Sequence, residues 1–557
     1  MSNTKHSAWW QSFYDDTPFE LYMVRSNAAE LEESIAFLRE KLHLTAGATI
    51  FDQCCGFGAM SIPLAERGFR IIGADLCKKY IAMAKQAVAS KSGQAKSGKA
   101  ELGKTKSGKT GSAKGKSASA KSTSAKASRA KTKLDATFTV ADAFDFVPRV
   151  PCDAAFNWYT SFGYAEEDEQ NLKMVARAFA ALKPGGHYAL DFLNMPMIMQ
   201  AFKTSMSTTL HSPQGDIVQT RKCSFDLYKG TMEQHWTWAM PDGKELTQNS
   251  TLRAYMPCDL VAMFKQVGFV DVQLFGGTDG SPLTGDSGRC IVVARKPTAN
   301  DKLRQSIYDG AILRRAATPA TLRLVSHVVA QLDREFGTAV PHKMLQFSLP
   351  PDELYQRMGK VRRAVFASTE TQALVRAVMA EQGFAPEANA LDSARLRAVT
   401  DGGHENPLAA AAYTAHRDTW YANPQAQINW WIPLCDVSEG ETFAFFPMYF
   451  DKPVANDSAA FDYGKWSEQV GFQSTSAASS AVPAVYPSTT EEFARDGQVP
   501  FAAKAGEIIL FAASHLHQTC KNTSGATRFS VDFRTVHIGD HEAGMGAPNV
   551  DNQSTGC

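Results

Sequence analysis

The sequence predicts two folded domains of different class: an α/β domain built on a parallel sheet, then a mainly β domain with flanking helices. Three observations carry this. The chain has 557 residues, more than one ordinary domain at ~150 residues each. Its first half alternates short apolar strands with helical stretches, the pattern of a parallel sheet. Residues 300–400 read as mostly helical, and beyond about residue 410 short strands, aromatics and turns take over. The boundary is expected at 297/298.

Taken in order, ATIFDQ (48–53) reads as a buried strand and CCGFG (54–58) as a tight loop. MSIPLAERG follows as a helix and FRIIGAD (69–75) as the second strand. Small residues at Gly56 and Gly58 let the backbone approach a ligand at a helix N-terminus. FTVADAF (138–144) and CDAAFNWY (152–159) supply two more strands, and LKPGGHYALDFLN (182–194) a turn and a fifth. Residues 216–256 alternate apolar and polar around a DG turn, which predicts inserted antiparallel strands. There Trp236 and Trp238 either pack the sheet or cover a substrate. MFKQVGFVDVQLFGG and RCIVVARKP close the first sheet.

Composition places the chain among globular proteins, with 44% hydrophobic and 21% charged residues. No apolar run reaches the ~18 residues that span a bilayer, and the first residues lack a signal pattern, so a cytoplasmic location without membrane contact is expected. The ten scattered cysteines, Cys54 and Cys55 adjacent, show no zinc spacing and read as reduced thiols. Charge is uneven. Residues 91–133 hold thirteen Lys/Arg against one Glu, leaving the rest of the chain at −11 within an overall +1. With no aromatic residue, this stretch cannot bury a core and is expected to be a disordered basic insertion. It joins a helix to a strand, which places it at the sheet edge opposite the ligand-binding edge.

The succession FDQCCGFG, Asp75, Asp142 and LKPGGHYALDF resembles the class I S-adenosylmethionine-dependent methyltransferases, up to about residue 297. NWYTSFGYAEEDEQN is similar to their small-molecule members. The resemblance implies a Rossmann-like methyltransferase sheet with S-adenosylmethionine as cofactor. Asp52, Gly56 and Gly58 would border its methionine part, Asp75 would bind the ribose and Asp142 would face the adenine amine. The loop departs from the family pattern at Cys54, where a glycine is usual. Tyr14, Asn157 and Tyr159 are candidate acceptor-side residues. GDSGR (285–289) looks like a serine-protease motif but lacks a His/Asp partner.

In the second half, His416 and Asp418 stand two apart, so on a strand both side chains share a face. His515 and His517 follow about a hundred residues later, ahead of Asn522, Arg528 and Arg534. Two histidines and a carboxylate form the facial triad of non-haem iron oxygenases. This arrangement resembles the phytanoyl-CoA hydroxylase-like Fe(II)/2-oxoglutarate-dependent oxygenases, which share a double-stranded β-helix, or jelly roll. By resemblance His416, Asp418 and His517 are the metal ligands and catalytic centre. Arg528 would hold the distal carboxylate of the co-substrate 2-oxoglutarate, with Arg534 a weaker alternative. Asp418 also separates the chain from the family's halogenases, which usually lack that carboxylate.

Both resemblances together imply a bifunctional enzyme, a methyltransferase fused to a dioxygenase, acting on a small polar metabolite. The rival is modification of a macromolecule recruited by the basic segment. An acidic remainder and the lack of aromatics between the lysines disfavour nucleic acid.

Overall fold

The computed structural model describes residues 8–23, 28–93, 134–406, 413–469 and 486–555. It divides into two compact units, Met1–Thr298 and Ala299–Cys557. Residues 94–133, nearly all of the expected disordered insertion, lie outside the described residues; the preceding helix, Lys78–Gly93, runs three residues into the segment.

The first unit is organised on a seven-stranded sheet. Its strands are β1 (Thr49–Gln53), β2 (Arg70–Asp75), β3 (Ala136–Val140), β4 (Cys152–Asn157) and β5 (Leu182–Phe192). After an insertion of β6 (Ser205–Ser212), β7 (Gly215–Asp226), β8 (Thr231–Ala239) and β9 (Glu245–Arg253), β10 (Val270–Phe275) and β11 (Cys290–Arg295) complete it. The spatial order is β10-β11-β5-β4-β1-β2-β3. Strands β1 to β5 run parallel; β11 is antiparallel to β5, and β10, antiparallel to β11, points the same way as the first five. From β1 the chain winds outward to β2 and β3, then returns to β4 on the other side. This reversal opens a crevice at the carboxyl ends of β1 and β4. All five residues of β1 are buried, as a strand covered on both faces requires. The helix Pro257–Val267 follows local rules, with proline at its start and Gly268 (φ 103°) at its end.

Strands β6 to β9 form a separate antiparallel meander, in agreement with the alternation around Asp242-Gly243. Its apolar face packs on the N-terminal aromatics. Trp236 and Trp238 stack with centroids 6.1 Å apart, and Phe13 meets both edge-on.

In the second unit the strands are β12 (Leu313–Arg315), β13 (Asn389–Leu391), β14 (Arg395–Val399), β15 (Gln427–Pro433), β16 (Phe443–Phe445), β17 (Ile508–Ala512), β18 (His517–Thr519) and β19 (Arg528–His537). An antiparallel sheet runs β12-β17-β15-β19-β13, with β14 also on β19; β16 and β18 form a second, two-stranded sheet. Side-chain alternation along two strands divides this unit chemically. Ile428, Trp430 and Ile432 of β15 and Phe529, Val531 and Phe533 of β19 join a core with the helices Pro319–Phe336, Pro351–Ala367 and Thr369–Glu381. The intervening residues Asn429 and Trp431, with Arg528, Asp532 and Arg534, are left to the opposite face. There Trp431, Ile509 and Phe511 pack on Phe443 and Phe445 of the small sheet.

Among the described residues no helix is long and apolar enough to cross a membrane, and the described cysteines are free thiols.

Candidate functional site

Each unit brings some of its candidate residues together: Asp52, Gly56 and Tyr159 line one cleft in the first, and His416, Asp418 and His517 cluster in the second. In the first, a cleft is lined by Asp52, Cys54, Cys55, Gly56, Phe57, Ala59, Met60, Trp158, Tyr159 and Ser161, with no Lys or Arg among them. The loop after β1 makes it. Cys54 stands at φ 62°, Gly56 at 53° and Gly58 at 85°. The residue that departs from the expected glycine pattern therefore holds a backbone conformation natural to glycine and strained for cysteine. A Cβ on Gly58 would meet Ile62 and Phe138 at 3.1–3.4 Å, so packing also favours glycine there.

Of the three expected carboxylates, Asp75 organises this loop and Asp142 its own turn. Asp75 accepts the Gly56 N–H through Oδ2 and the Cys77 N–H through Oδ1, each at 2.8 Å. Asp142 accepts the Phe144 N–H at 2.9 Å. Each oxygen has a second lone pair, so ribose or amine contacts remain open to both. Asp52 differs. It accepts only the Ser61 hydroxyl, at 2.6 Å, and burial pushes its carboxyl up to about 8, with Asp75 adding to the rise. A buried acid with no cation beside it suits a positively charged ligand.

The acceptor-side candidates converge less tightly. Tyr159 lines the cleft at φ 60°, its N–H held by Asp191, which is ion-paired to Arg289. Asn157 donates to Ser161 O at 3.2 Å. The Tyr14 hydroxyl meets that of Tyr164 at 2.7 Å. Neither Tyr164 nor Asp191 stands out in the sequence, because each is defined by a partner more than 90 residues away. Arg289 and Ser287 of GDSGR serve structure, the arginine on Asp191 and the serine hydroxyl accepting the Thr284 N–H.

In the second unit His416, Asp418 and His517 come together, with ligand atoms all within 4.8 Å of one another. His416 and His517 exchange both backbone hydrogen bonds at 3.0 Å, an isolated antiparallel bridge that sets their rings 4.5 Å apart. Asp418 is not on a strand, as its spacing predicts. It opens a 3-10 turn, Asp418–Tyr421, and the turn brings the carboxylate round to the histidines. Each histidine is tethered through Nδ1 to a carbonyl, Thr414 O at 3.0 Å and His515 O at 2.9 Å. Nε2 of each ring is thereby free for a metal. Burial, helped by His517, lowers His416 to about 4, so its ring is neutral at ordinary pH. Burial opposes charge on Asp418 too, but Arg534, His517 and His416 outweigh it and hold the carboxyl near about 2. Two imidazoles with Nε2 to offer and an ionised carboxylate make a donor set that suits a divalent metal.

His515 leaves this group, turning among Phe445, Phe450 and Phe511 with ring centroids at 5.6, 4.6 and 6.4 Å. The two arginines also separate. Arg534 lies 3.7 Å from Asp418 and 3.5 Å from Asp392. Arg528, six residues away on the same face of β19, is 4% exposed. Its Nε has no hydrogen-bond partner and its guanidinium lies 5.7 Å from the Trp431 ring. Burial lowers it to about 10, which still leaves it a cation. A buried guanidinium with spare donors fits a carboxylate co-substrate. Asn429, within the QINWW stretch, donates to Asp418 Oδ2 at 2.5 Å, a contact its sequence position does not announce.

No protein-family model matches the chain. A mouse protein, tRNA (uracil-5-)-methyltransferase homolog A, is 30% identical over 69 residues, 12% of this chain and 11% of that protein. The chain thus matches about a tenth of that relative's length. Among solved structures, the CcbJ methyltransferase of Streptomyces caelestis aligns over 54% of this chain and all of its own, at 14% identity and TM-score 0.38. CalS10, an amino pentose methyltransferase of Micromonospora echinaspora solved with S-adenosylmethionine, aligns over 53% of this chain and 99% of its own, at 16% identity and TM-score 0.35. The sugar N-methyltransferase KedS8 of Streptoalloteichus aligns over 53% and 97%, at 17% identity and TM-score 0.36.

Proposed function

We propose that the chain is a bifunctional tailoring enzyme. The first unit methylates and the second oxidises a small polar metabolite. The observation that supports this most strongly is the convergence of the His416 and Asp418 pair with His517, about a hundred residues later in the sequence, with ligand atoms within 4.8 Å of one another.

In the first unit the loop 54–58 and the ends of β1 and β2 hold S-adenosylmethionine, with Gly56 and Gly58 allowing close backbone approach. When bound, that cofactor supplies an electrophilic methyl group. Asp52 faces its positive charge and becomes ionised there, Asp75 takes the ribose and Asp142 the adenine amine. Tyr14, Asn157 and Tyr159 shape the acceptor side. Methyl transfer requires chiefly that the acceptor atom be held in line, so positioning accounts for most of the rate.

In the second unit the two facing sheets form a jelly roll around the metal. His416, Asp418 and His517 hold Fe(II), and Arg528 receives the distal carboxylate of 2-oxoglutarate. When bound, iron and 2-oxoglutarate supply the oxidising chemistry, with O2 consumed and succinate and CO2 released. Asn429 orients Asp418, the Thr414 and His515 carbonyls fix the histidine rings, and Trp431, Phe443 and Phe511 keep water from the face between the sheets.

Modification of a macromolecule is the second reading, favoured by the charge of residues 91–133. Deleting them while retaining turnover on the true substrate argues against it.

Isotope tracing in a host-cell extract tests both. The purified protein with Fe(II) receives deuteromethyl S-adenosylmethionine, with and without 2-oxoglutarate. We expect label in a small molecule that gains oxygen or loses hydrogen only when 2-oxoglutarate is present. Label confined to protein or nucleic acid would overturn the metabolite reading.

A further inference from the structure

Between the two ligands His416 and Asp418 stands Arg417, a residue whose charge has no obvious use at a site for a cation. Its backbone is extended (φ −109°, ψ 144°), so its side chain leaves on the side opposite its neighbours. It is 1% exposed. Such a guanidinium is tolerated only when its donors are used, and here they are. Nε donates to Asp551 Oδ2 at 3.1 Å, and the Nη atoms to the carbonyls of Ser514, Tyr449 (2.6 Å) and Lys452 (2.8 Å).

Asp551 collects further donors from the same region. It accepts the Trp420 indole N–H at 2.8 Å and the Val454 N–H at 2.9 Å, and its own carbonyl accepts Asn456 Nδ2 at 3.0 Å. Three residues on, Ser554 Oγ accepts the N–H of Ala422 at 3.0 Å. Ala422 ends the turn that carries Asp418 and stands at φ 58°, a left-handed conformation that a non-glycine residue keeps only where its surroundings impose it. Asp551 and Ser554 therefore grip the ligand-bearing turn along its length: at Arg417 before Asp418, at Thr419 and Trp420 after it, and at Ala422 where the turn ends.

We propose that Asp551 and Ser554 are positioning residues for the metal centre, setting the 416–422 turn so that Asp418 meets the two histidines. The proposal rests on the metal-site reading above. Neither residue is a metal ligand: Asp551 acts through the Arg417 and Trp420 side chains, and Ser554 through the Ala422 N–H. Supports of this indirect kind change metal affinity by roughly 10- to 100-fold, and coupling of this sort is reciprocal, so bound metal must in turn tighten these contacts.

The test uses the full chain stripped of metal and titrated with Co(II), followed by visible absorption. Asp551→Asn keeps the shape of the side chain and removes its charge. We expect it to bind Co(II) about tenfold more weakly, with altered band positions. Ser554→Ala, which removes the acceptor of the Ala422 N–H together with the hydroxyl's contacts to Asn552 and Thr419, should show a smaller loss and serves if Asp551→Asn fails to fold. Co(II) should also slow hydrogen exchange at the Ala422 and Val454 amides in the parent protein and do so less in either variant. Lower thermal stability of the metal-free variant with an unchanged Co(II) affinity and spectrum would reduce Asp551 to an ordinary structural residue and overturn the inference, leaving the metal site intact. Failure of the parent protein to bind Co(II), or equal binding by His517→Ala, would instead remove the metal reading and the inference with it.

Discussion

Asp52 and Asp418 are both buried carboxylates, one in each unit, and their surroundings drive them in opposite directions. Asp52 has a serine hydroxyl and a second carboxylate for company, and its carboxyl rises to about 8. Asp418 has Arg534, two histidines and Asn429, and falls to about 2 despite its burial. The cleft of the first unit is acidic and free of Lys and Arg along its lining, whereas β14 and β19 of the second carry Arg395, Arg397, Arg528 and Arg534. Burial alone thus decides little. What decides is whether a cation is built in beside the acid or left for a ligand to bring.

The largest effect expected from this contrast comes from removing a metal ligand. His517→Ala or Asp418→Ala should weaken Fe(II) or Co(II) binding by roughly 100-fold or more and abolish 2-oxoglutarate turnover. Methyl transfer should continue, and its loss would break the division of labour between the units. Arg528→Met comes next. A charge-assisted hydrogen bond contributes about 1.5–3 kcal/mol, so the concentration of 2-oxoglutarate needed for half-maximal rate should rise roughly 10- to 100-fold. If Arg534→Met gives that effect and Arg528→Met does not, the two arginines have exchanged roles.

The pH dependence of stability sharpens the comparison further. The folded-state value of Asp52 lies above its unfolded 3.8. The native state therefore keeps a proton that the unfolded chain releases, and stability declines as pH rises from about 4 to about 8. Asp52→Asn should flatten that decline, as read from urea midpoints across the range. Asp418 works the other way. Its folded-state value lies below 3.8, so its contribution is full above that pH and is lost as pH falls toward 2. Affinity for S-adenosylmethionine should also rise as pH climbs toward 8 and level off above it, and calorimetry on Asp52→Asn should show no such slope. The smallest effect concerns the loop. Cys54→Gly removes the left-handed strain and should stabilise the first unit by about 1 kcal/mol, measurable as a shift in the same urea midpoint. A loss of stability would mean that the thiol contributes packing that outweighs the strain.

Much of this architecture was legible in the chain. ATIFDQ, FRIIGAD and CDAAFNWY are apolar runs of strand length between glycine and helical segments, and such local patterns find strands wherever both faces are covered. The hairpin at Asp242-Gly243 followed from alternation and turn chemistry. The spacing of His416 and Asp418 suggested a pair for the wrong local reason, since a turn and not a strand unites them.

The sequence by itself determined which residue types are present and at what local spacing: the glycine loop, the carboxylates at strand ends, and the histidine and arginine positions. The tertiary structure alone decided which arginine stands beside Asp418, that His515 turns away while His517 turns in, and that Asp551 and Ser554 hold the turn that carries Asp418. The physical reason is range. Local pattern follows from backbone sterics and alternation over a few residues, whereas the charge beside a buried acid comes from strands paired across more than a hundred positions. Only their packing brings those partners within reach.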